Sequence, residues 1–84
     1  MMNDDNKLLI KKIIAKSLKI ELSKINENSS SKNVEEWDSL GHLSILMSLD
    51  KNFKGKLTSI SELSDCDSFK KIFKTLIKHK ILTE

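Results

Sequence analysis

The sequence predicts an all-α protein: a small four-helix bundle with three main helices, one short third helix and a long first loop. Apolar residues recur at helical spacing in three segments, and no stretch alternates over the length of a strand. The 84 residues include no proline and only two glycines, so few positions would interrupt a helix. A chain of this length is expected to form a single domain, 1–84, with a modest core and no deep substrate cavity.

The first helix is predicted over residues 4–18. Polar and acidic residues at its start suit the first turn of a helix, namely Asn3, Asp4 and Asp5. Its apolar stripe consists of Ile10, Ile13, Ile14 and Leu18. Residues 19–37 then form a long connection, and 26–33 is its most polar part. A connection this long in a small domain is either functional or loosely ordered, and both alternatives are open.

The second helix is predicted to begin at Asp38 or Ser39 and to end near residue 53. The residues expected to face the core are Leu43, Leu46, Leu49 and Phe53, with Ile45 beside them. Leu40 and Met47 are expected at the edge of that stripe. Gly55 follows the helix, where a left-handed residue is favoured. Gly41 lies inside the helix, at a cost of about 1 kcal/mol relative to alanine.

Two further segments complete the predicted bundle. Residues 59–62 match the capping-box pattern and open a short helical turn around Glu62 and Leu63. Asp67 or Ser68 is expected to cap the last helix. The apolar residues of that helix follow helical spacing throughout: Phe69, Ile72, Phe73, Leu76 and Ile77.

Composition excludes several classes of protein. The single cysteine, Cys66, rules out an internal disulfide and a cysteine-based zinc site, and no metal site is expected. No apolar run approaches the roughly 18 residues of a membrane span. The polar, acidic N-terminus does not resemble a signal peptide, so a cytoplasmic protein is expected.

The net charge of +3 is unevenly distributed along the chain. Residues 27–50 carry one lysine against five acids, whereas 1–26 and 51–84 are rich in lysine, and no arginine occurs. Base recognition and tight phosphate binding favour arginine. The lysines are therefore interpreted as solvated surface, and no nucleic-acid partner is expected.

Ser39 is the candidate site residue, because Asp38, Ser39 and Leu40 stand where the long loop gives way to the second helix. A serine there lies at the positive end of the helix dipole, beside N–H groups without intrahelical partners. Such a position suits a phosphate ester. The alternative is an ordinary N-cap serine, and the residues alone do not decide between the two.

The pattern resembles the modification site and second helix of acyl carrier proteins. The residues that carry this resemblance are Asp38-Ser39-Leu40, then Leu43, Ile45-Leu46-Met47, Leu49 and Phe53. The order of helices and loop matches that family over most of the chain. The resemblance implies that a phosphopantetheinyl transferase attaches 4′-phosphopantetheine from coenzyme A to Ser39, with Asp38 helping to present the serine.

The family further implies a carrier, not an enzyme. The thiol of the arm would hold acyl or aminoacyl groups as thioesters, loaded by a ligase and passed among acyl-transferring enzymes. The chain would act as a monomer. Implied partner contacts are Leu40, Met47 and Glu36, although plain packing of the two apolar residues is an alternative. A groove between the second helix and the short third helix would shelter the cargo, lined by Met47, Ile60 and Leu63.

Two features depart from the family. Glu36 stands where carriers often have glycine, and the second helix lacks the run of acids typical of fatty-acid carriers. Docking would then depend less on charge, which favours a carrier of a specialised pathway over the housekeeping carrier of fatty acid synthesis.

Other interpretations stay open. A Ser39–His42 hydrolase would have the two side chains one turn apart but lacks an evident orienting acid. A small helical protein-interaction module without a prosthetic group, or a carrier-like fold that has lost modification, would also fit the helices. Three more residues receive simple interpretations: Trp37 as a loop anchor, Cys66 as a semi-buried residue and His79 as a surface residue.

Overall fold

The computed structural model describes residues 2–57 and 60–82, with side chains from Asp5 onward. Three α-helices are present, α1 (Met2–Leu18), α2 (Ser39–Asn52) and α3 (Phe69–Lys78). Two 3₁₀ turns accompany them, a first at Leu22–Lys24 and a second at Ser61–Asp65. These ranges contain no β-strand, only an isolated bridge between Ser30 and Ser68. The predicted all-α class and the positions of the main helices are confirmed.

The core forms where α1 packs against both α2 and α3. Every residue of the stripe predicted for α1 is buried, and in α3 only Ile77 is partly exposed. The largest fully buried side chains belong to all three helices and to the loop before α2: Trp37, Phe69, Ile10, Ile14, Ile45, Leu49, Ile72 and Leu76. The radius of gyration of 11.6 Å matches the roughly 12 Å of a compact chain of this length.

The buried face of α2 differs from the prediction. Ile45 and Leu49 are fully buried, Leu46 and Phe53 are partly buried, and Leu43 is 53% exposed. The placement of Leu43 in the core was wrong. At about 100° per residue, Leu43 lies roughly 200° around the helix from Ile45 and therefore points away from the core. The packed face is centred on Ile45 and Leu49.

The long first connection is anchored to the start of α3. The N–H of Phe69 donates to the carbonyl of Ser29 at 2.9 Å, and the N–H of Ser31 donates to the carbonyl of Asp67 at 2.9 Å. Inside the loop, the buried Ser29 accepts from the N–H of Asn26 at 2.9 Å. These hydrogen bonds join the connection to the start of α3 and place the residues that precede α2.

The helix ends follow local chemistry. Ser68, not Asp67, caps α3, and its hydroxyl accepts from the N–H of Lys71 at 3.2 Å. Gly55 has the expected positive φ, 78°. The predicted short third helix is the second 3₁₀ turn, which Ile60 precedes without a side-chain cap. Ser59 of the predicted capping box lies outside the described residues. None of the helices in the described ranges has the length and apolar character needed to cross a bilayer.

Candidate functional site

Asp38 caps α2 and leaves the hydroxyl of Ser39 exposed. The backbone of Asp38 is extended, and its Oδ1 accepts a hydrogen bond from the N–H of Gly41 at 2.8 Å. Ser39 is therefore the first helical residue, and its side chain is exposed to solvent. Of the two interpretations left open for Ser39, the ordinary N-cap serine is excluded, because Asp38 caps the helix. Its hydroxyl stands at the positive end of the helix dipole without being needed to complete the helix.

Gly41 allows the loop to pass closely over the first turn of α2. A Cβ at this position would overlap the carbonyl oxygen of Glu36 and would lie 2.7 Å from Cδ2 of Leu18. The glycine is thus required by packing, although sequence reasoning recognised only its cost to the helix. The signal was the unusual placement of a glycine two residues after the serine.

Trp37 and His42 connect the loop to α2 and to the second 3₁₀ turn. Trp37 is only 1% exposed, and its indole N–H donates to Nδ1 of His42 at 3.1 Å. Nε2 of the same imidazole lies 3.1 Å from the carbonyl oxygen of Leu63. Because that carbonyl can only accept, both bonds together require the neutral tautomer with its proton on Nε2. Trp37 is confirmed as a buried anchor.

Because of these two hydrogen bonds, His42 cannot serve as the general base of the alternative Ser–His hydrolase. Both ring nitrogens of His42 are engaged away from Ser39, so neither is free to accept the proton of the serine hydroxyl. Across the described ranges, no group of three or more His, Cys, Asp and Glu side chains could hold a metal ion. The contacts of His42 therefore do not support a Ser39–His42 catalytic pair.

A shallow polar cleft of about 470 Å³ opens beside Ser39. Its lining residues come from the loop, α2, the second 3₁₀ turn and the link between that turn and α3: Ser31, Trp37, Asp38, Ser39, His42, Ser64 and Asp67. Both acids of the cleft have partners, since Asp38 binds the N–H of Gly41 and Asp67 pairs with Lys71 at 3.2 Å. The hydrogen bond from Lys71 holds the pKa of Asp67 below its usual value. The positive end of α2 favours a phosphate ester on Ser39, whereas the two carboxylates that line the cleft disfavour its negative charge.

An exposed apolar stripe runs along the outer face of α2. Leu40 is 76% exposed, Met47 is 65% exposed, and Leu43 stands between them. The three residues are spaced i, i+3 and i+7, which places them on one face of the helix; we call them the outer stripe. Glu36, the other predicted partner contact, is exposed on the loop before α2. Sequence reasoning missed Leu43 because it assigned this leucine to the core.

The three residues predicted to line a cargo groove lie around one cavity. Met47, Ile60 and Leu63 border a groove of about 430 Å³ between α2 and the second 3₁₀ turn. The remaining lining residues are Leu46, Asp50, Leu57, Ser61 and Ser64. Met47 belongs to both the groove and the outer stripe. Asp50, the only charged side chain among the described residues of this lining, was not predicted.

Cys66 and His79 lie away from Ser39. Cys66 is buried more deeply than predicted, with its sulfur 3.3 Å from the carbonyl oxygen of Glu62 and 3.3 Å from Oγ1 of Thr75. His79 lies at the end of α3, where its Nε2 is 2.6 Å from a carboxylate oxygen of Glu62. Both residues therefore have structural contacts between the second 3₁₀ turn and α3.

Comparisons with known proteins identify no relative of this chain. No family model matches it, and no curated protein or solved structure does so. The resemblance to acyl carrier proteins therefore depends on the residues around Ser39 and on the order of the elements. What it implies about function is a proposal that the geometry of the described residues can support.

Proposed function

We propose that this chain is a carrier protein whose Ser39 accepts 4′-phosphopantetheine from coenzyme A. The second 3₁₀ turn would then correspond to the short third helix of an acyl-carrier-like four-helix bundle. The proposal depends on one observation at the start of α2, where Asp38 and Ser39 have different roles. Asp38 satisfies the helix end, and Ser39 keeps an exposed hydroxyl. When attached, the group supplies a terminal thiol that holds acyl or aminoacyl cargo as a thioester.

The attachment is a phosphoryl-type transfer to the oxygen of Ser39. The hydroxyl oxygen bonds to the phosphorus that bears the pantetheine, and the bond from that phosphorus to the nucleotide half breaks. Adenosine 3′,5′-bisphosphate leaves, and the serine proton goes to a base of the transferase. This chain contributes the exposed oxygen and the positive end of α2, which favours the negative charge of the product.

The surroundings of Ser39 support its role as a fixed attachment point. Trp37 is buried, His42 links it to Leu63, and Gly41 lets the Glu36 carbonyl approach the first turn. These contacts hold the loop and the helix in one arrangement. A transferase would therefore meet a preformed surface, with no ordering of the loop required before the serine can react.

The outer stripe supports docking of partner enzymes beside the attachment point. Leu40 directly follows Ser39, and Leu43 and Met47 continue the same face. Residues of α2 carry few acids, so contact with a transferase, a loading ligase or an acyl-transferring enzyme would depend on apolar burial more than on charge. We propose that the chain meets these partners as a cytoplasmic monomer in a specialised pathway.

The same stripe favours a second candidate, a helical protein-interaction module without a prosthetic group. Three large apolar side chains exposed on one helix face suit a protein partner whether or not Ser39 is modified. The two candidates differ in one respect that can be measured. Only the carrier needs the hydroxyl of Ser39.

The test is the intact mass of the protein after incubation with coenzyme A, Mg²⁺ and a transferase of broad specificity. We expect a gain of one phosphopantetheine in the wild type and none in Ser39→Ala. Ser44→Ala is the matched control, because Ser44 is an exposed serine on the same helix and should leave the gain intact. Circular dichroism verifies that each variant is folded. A folded wild type that gains no mass with several transferases would contradict the carrier and favour the interaction module.

A further inference from the structure

The groove beside α2 contains a carboxylate with an unmet hydrogen-bonding requirement. Oδ1 of Asp50 is shielded from solvent and has no hydrogen-bond partner among the described residues. Ion pairs within those residues join Lys7 to Glu27, and Lys71, Lys78 and His79 to other acids, but none involves Asp50. The rest of the groove lining is apolar or carries only a hydroxyl.

Such an oxygen is unfavourable in the free protein. A carboxylate oxygen removed from water without a donor costs free energy, and native proteins rarely leave buried polar atoms unpaired. Asp50 is one turn beyond Met47, so both side chains reach the groove from α2. A ligand that enters the groove and brings a donor to Asp50 would remove this cost.

We infer that Asp50 selects the cargo and that the cargo is a short acyl chain bearing a positively charged amine. This inference rests on the proposed function, since the cargo arrives on the arm attached to Ser39. Asp50 follows Ser39 by eleven residues, which corresponds to about 16 Å along the helix at 1.5 Å per residue. An extended phosphopantetheine arm spans a distance of the same order, so an arm that is not fully extended can place the end of a short acyl chain beside Asp50.

The groove distinguishes an ammonium group from other chain ends. An ammonium donates to the carboxylate of Asp50 and also neutralises its charge, and such charge-assisted bonds are stronger than neutral ones. A purely aliphatic cargo would displace water from the groove and leave Asp50 more poorly solvated. The methylenes of the cargo would contact the apolar wall formed by Leu46, Ile60 and Leu63.

The experiment compares cargo analogues that differ only at the chain end. Stable amide-linked analogues of pentanoyl and 4-aminobutyryl groups have nearly the same shape, with a terminal methyl in one and an ammonium in the other. Each is attached through its coenzyme A derivative, and intact mass verifies complete loading of Ser39. Failure to load would count against the proposed function, so the cargo preference is measured only on fully loaded protein.

The first readout is the melting temperature of the loaded proteins. We expect the aminoacyl form to melt about 4 °C or more above the pentanoyl form, a difference that a modest interaction produces in a domain of this size. Chemical shifts of the Met47 and Ile60 methyl groups give a second readout and should move more with the ammonium. Equal melting temperatures, or a higher one for the pentanoyl form, would overturn the inference.

Variants then assign the effect to Asp50. Asp50→Asn keeps the shape of the side chain and removes its charge, so the difference between the two cargoes should disappear. Asp65→Asn is the matched control, because Asp65 is exposed on the second 3₁₀ turn outside the groove, and the difference should persist. A 4-hydroxybutyryl analogue that stabilises the wild type as much as the amine does would also contradict a charged cargo. If Asp50→Asn fails to fold, the wild-type comparison alone still decides.

Discussion

The two parts of α2 that border the candidate site differ in how completely their polar groups are satisfied. At its start, Asp38 binds the N–H of Gly41, and His42 uses both ring nitrogens, one with Trp37 and one with Leu63. Farther along, Met47 is exposed and Oδ1 of Asp50 has no partner among the described residues. The polar side chains at the start of α2 are thus hydrogen-bonded within the protein, whereas Asp50, farther along the same helix, has an oxygen to which another molecule can donate a hydrogen bond.

That difference matches the two tasks of the proposed carrier. The attachment point must present a single hydroxyl in a constant position to a transferase, so loss of order there would be costly. The groove must accept and release a changing occupant, so residues that bond fully within the protein would be a disadvantage. Substitutions at the two segments should therefore have different consequences, and three further predictions examine this.

The largest effect is expected from Trp37→Ala. Removing a fully buried tryptophan leaves a large cavity, and losses of about 3–5 kcal/mol in the free energy of unfolding are typical. Urea unfolding followed by circular dichroism measures this. Trp37→Phe retains most of the volume but loses the N–H bond to His42, so a smaller loss is expected. A loss below about 1 kcal/mol in Trp37→Ala would show that the start of α2 does not depend on this anchor.

An intermediate effect is expected from Gly41→Ala. Alanine favours a helix by about 1 kcal/mol over glycine, so an unconstrained site would be stabilised. Here the added methyl overlaps the Glu36 carbonyl and crowds Leu18, and overpacking costs about 1–3 kcal/mol. We expect a net loss of stability and slower modification of Ser39, measured by urea unfolding and by the time course of the mass gain. Ser44→Ala, on an exposed position of the same helix, should change neither. Stabilisation of Gly41→Ala would contradict the close approach of the loop.

The smallest effect concerns the second 3₁₀ turn, where Glu62 contacts the end of α3. Glu62 accepts from Nε2 of His79 at 2.6 Å and from Nζ of Lys78 at 3.1 Å. The bond from His79, followed by that from Lys78, lowers the pKa of Glu62 below its ordinary 4.5. A depressed carboxyl pKa adds stability above the unfolded value, and that stability is lost as the pH falls through the folded pKa. The groups are exposed, so the contribution is modest.

The pH prediction is tested with Glu62→Gln. The melting temperature of the wild type should exceed that of the variant near pH 7, and the gap should close as the pH falls from about 5 to about 3. The difference in melting temperature caused by Glu62→Gln can also be measured in proteins that lack one partner of Glu62. We expect this difference to be smaller in a His79→Gln background than in a Lys78→Met background. A gap that is constant across this range would contradict the pairing.

Local patterns predicted most of the helical structure and part of the site. The 3.6-residue period located the buried faces of α1 and α3, and the junction at Asp38 and Ser39 marked the start of α2. Leu43 was assigned wrongly because α2 has large apolar residues around much of its circumference. The spacing of the apolar residues of α2 is therefore compatible with more than one buried face. Only the packing against α1 distinguishes them.

The features that sequence reasoning missed arise from contacts between distant residues. Gly41 is needed because Leu18 and the Glu36 carbonyl converge on it, and His42 bonds to Leu63, 21 positions away. Oδ1 of Asp50 likewise has no hydrogen-bond partner because the described residues of the groove bring no donor to it. One sequence without the fold does not show which distant residues meet, whereas the grouping of Met47, Ile60 and Leu63 was expected from the resemblance to acyl carrier proteins.

The bond between Trp37 and His42 has an optical consequence. Trp37 is the only tryptophan in the chain, and tyrosine is absent, so near-ultraviolet fluorescence arises almost entirely from this one indole. The indole is buried two residues before Ser39, and its ring lies edge to edge with the imidazole, nearly in the same plane, with centroids 6.3 Å apart. Its emission will therefore respond to any change that separates the loop from α2. The protein contains its own fluorophore at the position where modification is proposed, and binding there can be followed without a label.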